Sequence, residues 1–367
     1  MPKPRYTRIV RFPKPALLAV SLLMLIAACS GSESDTTTTS TAITTLPPVS
    51  TTAAATTSST TATSTTTTST TTTTTTLGPQ NPSPLNGTEV ADPAMLERRV
   101  IAVKVDNHPK ARPQSGIQEA DLVYELLVEG GLTRFIAVFH HSDSEYVGPI
   151  RSLRPTDSTL VTYLDAPLQV SGGQPWIQSL ARGRGLQIIG DDRVSTFRVG
   201  SRRAPHNLYG ITAKMRETAD RRGWSDSPPD PIFTFGEPPP SFAPAEILTL
   251  DWSDRPEVVW RWDPVSETYL RSNRDNSHNW LSIDGDRSQI SADTLLVLTA
   301  RKYTAFPPAE GSAVPALETK GTGQALLFFS GRVHQGKWDR ETYDDPFTLS
   351  LIHISEPTRQ RLESRFE

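Results

Sequence analysis

Leu122-Val123-Tyr124-Glu125-Leu126-Leu127-Val128 and Arg134-Phe135-Ile136-Ala137-Val138-Phe139 are two near-continuous apolar runs of strand length, separated by a stretch that contains Gly130-Gly131. The glycine pair reads as a hairpin turn, because glycine reaches the backbone angles of a tight turn without steric cost. Val100-Ile101-Ala102-Val103-Lys104-Val105 and Leu168-Gln169-Val170 have the same character, and each is bounded by Gly or Pro or by the polar turn Asp106-Asn107-His108-Pro109. Helical spacing follows or intervenes at Asp157 to Leu164, at Pro175 to Arg182 and over Thr212 to Arg222, where Ile211, Met215 and Ala219 share a face. Apolar strands interleaved with helices predict an α/β domain whose mixed sheet is covered on both faces.

Further along, the pattern changes. Val258-Val259-Trp260-Arg261-Trp262, a turn at Asp263-Pro264-Val265-Ser266, and Thr268-Tyr269-Leu270-Arg271 form a hairpin signal, and Ala325 to Phe329, Ser330-Gly331 and Val333 to Trp338 form another. A smaller, mostly-β domain is expected after the α/β one. The boundary falls where proline accumulates, at Asp226-Ser227-Pro228-Pro229-Asp230-Pro231 and Glu237-Pro238-Pro239-Pro240. The expected organisation is residues 85–225 for the α/β domain, 226–243 for the linker and 244–348 for the β domain.

The start of the chain predicts where the protein works. Lys3, Arg5, Arg8, Arg11 and Lys14 precede the apolar run Ala16 to Ile26, which is too short for a spanning helix of roughly 20 residues and reads as a signal-peptide core. Ile26-Ala27-Ala28-Cys29 resembles a bacterial lipobox. Residues 1–28 are then a lipoprotein signal peptide, and Cys29, the sole cysteine, carries the lipid that holds the protein to the extracytoplasmic face of a membrane. Residues 29–77 are mostly Thr and Ser, with Ala and an isolated Leu-Pro-Pro, a composition that cannot bury enough apolar surface to order and makes a flexible tether. At the other end, Leu349 to Arg359 resembles a translated sequencing adapter, so 349–367 is expected to be a non-native tail.

Composition excludes several classes of chemistry. With its one thiol acylated, the chain has no disulfide, no cysteine nucleophile and no thiolate metal site. Five of 37 basic residues leave with the signal while all 40 acidic ones stay, so the mature chain is acidic and nucleic acid is not an expected partner. No Gly-x-Ser-x-Gly elbow or phosphate-loop pattern occurs, and neither a cofactor nor a metal is expected. His140-His141 reads as a solvated loop edge.

Several multi-residue blocks carry a family resemblance. Val105 to Gly116, Ala120 to Glu125, Val128 to Phe135, Gly148 to Pro155, Arg203 to Tyr209 and Gly323 to Trp338 occur in order and resemble the YerB-like bacterial lipoproteins, a family of unknown function (domain of unknown function 3048). The resemblance implies topology and location but no activity. Within these blocks Asp106, Asn107, Arg112, Glu125, Glu129, Arg134, Arg151, Arg154, His206 and Asn207 form a candidate cleft. Asp106-Asn107 ends a strand, where α/β sheets usually bind ligands. Glu125 and Glu129 share a face if both lie in the strand, the arginines offer planar donors and His206 a loop imidazole of the kind that can act near neutral pH. The set reads first as structural ion pairs in a protein that binds a cell-wall fragment or an envelope protein. The alternative is an envelope hydrolase or transferase using the carboxylates with His206.

Overall fold

The glycine pair turns the chain in the manner its composition requires. Leu122–Leu127 runs antiparallel to Thr133–Phe139 in the register Leu122↔Val138 to Leu127↔Thr133. Between them Glu129–Gly131 makes one tight turn, with Gly130 and Gly131 at φ +67° and +68°, angles that side chains other than glycine rarely adopt. Both strands are buried along their whole length. Ile101–Asp106 lies antiparallel on the other side of Thr133–Phe139 and brings Asp106 opposite Arg134. At its far edge the sheet becomes parallel through Leu168–Gln169 and Ile188–Ile189. These observations come from a computed structural model that describes residues 9–11, 19–26, 80–235, 243–252 and 258–351.

The expected α/β class is overturned, because the protein is mostly β. Among the described residues its three α-helices, Asp157–Val161, Pro175–Gly183 and Thr212–Arg221, span 5, 9 and 10 residues. The helical periods exist, with Ile177, Ala181, Met215 and Ala219 turned inward. The first nevertheless stops after five residues, and a 3-10 turn ends at Asp165 with φ +46°. Burial on both faces misled the sequence reading, because it does not say what covers a strand. Here the central strands are joined by a short turn, and no helical crossover is needed. Strands of the C-terminal half cover the first helix: Leu317 N–H donates to Thr156 Oγ1 at 2.9 Å, and Arg340 Nη1 donates to the Thr159 carbonyl at 2.6 Å.

The C-terminal half is built of hairpins. Val258–Asp263 pairs with Thr268–Asn273, and Gly321–Phe329 pairs with Arg332–Arg340 across Ser330-Gly331, both at positive φ. Trp338 packs over Gly323, where an added Cβ would lie 2.3 Å from the Thr299 carbonyl oxygen. Its indole N–H donates to that same oxygen at 2.8 Å. Trp252, Trp260 and Trp338 are buried and belong to the core.

Ala19–Ile26, the run read as a signal core, is an extended strand. It lies antiparallel between Thr294–Ala305 and Leu122–Leu127, pairing Leu23 with Val297 on one side and Glu125 on the other. It thereby joins the sheets of the two halves into one of twelve strands. Ile9–Arg11 pairs in parallel with Ile247–Leu250. Cys29, the tether and residues 352–367 lie outside the described residues, whereas Thr348–Leu351 pairs with Arg332–Arg340. Among the described residues no helix is long and apolar enough to cross a membrane.

Candidate functional site

Asp106 ends its strand almost fully buried, and its carboxylate is surrounded by donors. Oδ2 lies 2.8 Å from His206 Nδ1 and 3.3 Å from Arg151 Nε, while Oδ1 accepts the His108 backbone N–H at 3.1 Å. The carboxylate therefore orients the His206 ring through Nδ1. His206 stacks on His108 at 4.9 Å between centroids. Burial, reinforced by the neighbouring His206, holds the His108 imidazole below its usual range. Among the described residues no hydroxyl is hydrogen-bonded to His206, so an oriented base is present without a nucleophile on it.

Asn107 links this corner to a second carboxylate. Its amide donates to Thr133 Oγ1 at 2.7 Å, and its Oδ1 accepts from Arg112 Nε and Gln114 Nε2, both at 3.0 Å. Thr133 in turn donates to Glu125 Oε1 at 2.6 Å. That oxygen also takes Arg271 Nη2 at 2.7 Å, and both charged side chains are completely buried. Arg271 also bonds His278 Nδ1, and His278 Nε2 donates to Gln114 Oε1 at 2.8 Å. An imidazole that accepts at one nitrogen and donates at the other is neutral. Burial, then the charges of Arg271 and Arg112, push the His278 pKa well below its ordinary value. Glu125 Oε2 and Arg271 Nε are buried without a partner among the described residues. Burial, with Arg271 nearby, brings Arg112 down to about 10.

The remaining candidates form a separate cluster. Glu129 belongs to the turn and not to the strand, so it does not share a strand face with Glu125. It pairs with Arg154 at 2.7 Å, and although burial pulls its pKa upward, the Arg154 bond and charge outweigh that and hold it low. The Arg154 backbone N–H donates to Asp157 Oδ2 at 2.7 Å, and Asp157 Oδ1 takes Lys104 Nζ at 2.6 Å in a pair with no exposure. Burial brings Lys104 down to about 8 despite Asp157. Arg134 donates to the Ser152 carbonyl at 2.9 Å. Asn207 accepts from Arg198 Nη1 at 2.9 Å.

Asp106, Asn107, Arg112, Glu125, Arg151 and His206 thus come together; Glu129, Arg134 and Arg154 lie in the neighbouring cluster, and Asn207 joins neither. Sequence reasoning missed Arg271, His278, Gln114 and Thr133. Arg271 was detectable by period two, since it alternates inward with Tyr269, whereas His278 gave no local signal. His140, expected at a solvated edge, is fully buried, and burial lowers its pKa to about 4.

Beside the network opens a cleft of about 480 Å³. Arg112, Arg274 and Arg287 line it together with Asn273, Asn276 and Asn279, and among the described residues no carboxylate does. Such a wall suits an anion with hydroxyl groups around it, since guanidinium forks match carboxylate and phosphate and amides serve hydroxyls. Among the described residues no group of three His, Cys, Asp or Glu is placed to hold a metal.

Comparison with known proteins matches both halves. Residues 85–225 match the N-terminal domain of the family described as "Protein of unknown function (DUF3048)", and residues 248–352 match its C-terminal domain. "Putative lipoprotein YerB" of Bacillus subtilis (strain 168) is 29% identical over 265 residues, covering 70% of this chain and 77% of that protein. The crystal structure of the YerB protein from Bacillus subtilis is similar with a TM-score of 0.57 and 24% identity, over 74% of this chain and 90% of that one.

Proposed function

Because the chain belongs to the DUF3048 family of proteins of unknown function, we propose that it is a lipid-anchored protein of the cell envelope that binds an anionic cell-wall fragment in its arginine-lined cleft without chemically altering it. The anchor reading rests on the basic start, the short apolar run and the lipobox-like Ile26-Ala27-Ala28-Cys29, and it agrees with the name of the Bacillus relative. Two or three acyl chains on Cys29 would hold the protein stably at the extracytoplasmic face of the membrane. One observation carries the binding reading: Arg112, Arg274 and Arg287 face the cleft with no carboxylate among them, in a chain whose acidic residues outnumber its basic ones. The carboxylates that an acid–base mechanism would use are engaged elsewhere, Glu125 by Arg271, Glu129 by Arg154 and Asp106 by His206 and Arg151.

Calorimetric titration with soluble peptidoglycan fragments bearing free carboxylates tests the binding. Saturable heat is expected, with affinity falling at least tenfold in Arg274→Glu/Arg287→Glu and falling as salt rises. No heat with the unaltered protein, or equal heat with the variant, refutes the reading. Radiolabelled palmitate tests the anchor, with incorporation expected in the unaltered chain and lost in Cys29→Ser. The oriented Asp106–His206 pair favours a second reading, an envelope hydrolase or transferase. Its mark is turnover of wall material that survives purification and disappears in His206→Ala.

A further inference from the structure

The Ala19–Ile26 strand occupies a slot between the two halves of the protein, with Leu122–Leu127 on one side and Thr294–Ala305 on the other. Opposite its centre stand Leu295, Leu296, Val297 and Leu298, all buried, and Leu122 to Glu125, also buried. Neighbours buried on both faces require an occupant that is apolar on both faces. The seated sequence Ala-Val-Ser-Leu-Leu-Met-Leu-Ile meets that requirement at seven of eight positions. An empty slot would leave the facing N–H and C=O groups of two strands unpaired, and such edges recruit other extended chains.

We propose that the slot is a strand-acceptor site: after cleavage before Cys29 removes its first occupant, it takes an extended, wholly apolar segment of about eight residues from another exported chain. Recognition would be by main-chain pairing to both walls, as in strand addition to a sheet edge, with the buried, mostly apolar walls rejecting charged sequences. The inference rests on the signal-peptide reading of residues 1–28, and the slot is distinct from the arginine-lined cleft.

The test keeps the full chain. A specific protease site is placed within residues 31–76, so that cutting frees the N-terminal fragment from its covalent link. A fluorescent peptide of the Ala19–Ile26 sequence, flanked by lysines for solubility, is the probe. One label per cut chain is expected, with uptake at least tenfold lower in the uncut chain and at least tenfold lower for the Leu23→Pro peptide, which loses a pairing N–H. Hydrogen exchange at 122–127 and 294–305 should slow when the peptide binds. Retention of the cut fragment through gel filtration, with exchange only under excess probe, also supports a strand-acceptor slot. Loss of the fragment from a folded body that takes up no probe overturns it, as does equal binding of the Leu23→Pro peptide. A chain that carries palmitate but refuses the probe retires this inference alone. One that takes the probe but carries no palmitate retires the anchor alone.

Discussion

Arg271→Met removes the guanidinium from a pair in which neither partner has any exposure, and so leaves Glu125 charged and buried. The methionine retains most of the apolar stem, so the loss is mainly electrostatic. Breaking a buried pair from one side costs about 3–5 kcal/mol, because the remaining charge is uncompensated. Thr133 still donates to Glu125 Oε1 at 2.6 Å, which favours the lower part of that range, but Oε2 already lacks a partner. Arg271 also lies 5.4 Å over the Phe135 ring and 5.9 Å over Trp260, contacts that add up to about 1 kcal/mol. The expected destabilisation is therefore about 4 kcal/mol, read from the urea midpoint by fluorescence of the buried Trp260. Glu125→Gln/Arg271→Met removes both charges and should recover about 2 kcal/mol of that loss, since neutral replacement of a buried pair is often close to free. A loss under about 1 kcal/mol for the single variant, or a double variant no better than the sum of the two singles, refutes the reasoning.

Acid should weaken the fold through two buried histidines. His278 lies well below its ordinary pKa and His140 at about 4, both through burial first. Each is neutral in the folded state and takes up a proton on unfolding near pH 6.5, so stability is full above that value and falls below it by about 1.4 kcal/mol per pH unit per group. Unfolding free energies from urea titrations at pH 7.5 and 5.0 should differ by about 4 kcal/mol through these two groups, a difference that halves in His140→Gln, and no change on that substitution removes the assignment of neutral histidines. Gly116 sits at φ +79°, and an added Cβ would lie 2.6 Å from Val147 Cβ. Gly116→Ala should cost roughly 2–4 kcal/mol by thermal melting, and an unchanged Tm would show that this turn is not under the constraint described.

What the sequence made legible was local. Gly130-Gly131 announced its turn because the positive φ it needs is glycine's own, and Asp263-Pro264-Val265-Ser266 because the Asp263 carboxylate accepts the Val265 and Ser266 backbone N–H groups. The class was not legible, because Ile101–Asp106 and Leu122–Leu127 are buried on both faces whatever covers them, and Leu122–Leu127 meets Arg271 from a strand of the far half of the chain. The Asp106 corner could be anticipated from a polar turn after an apolar strand. The Glu125 corner could not, because its counter-charge enters from 146 residues away. Glu129 was misplaced for a simpler reason: the strand ends at Leu127, two residues before it, and the chain then turns.

That separation along the chain bears on descent. Glu125 and Arg271 are encoded in opposite halves of the coding sequence, yet each is tolerable in the interior only while the other is present. A recombination event that imported one half from a distant relative would bring in a charge with no guarantee of its counterpart. Lineages should therefore keep or lose the two residues together, and the two modules should be inherited as one piece.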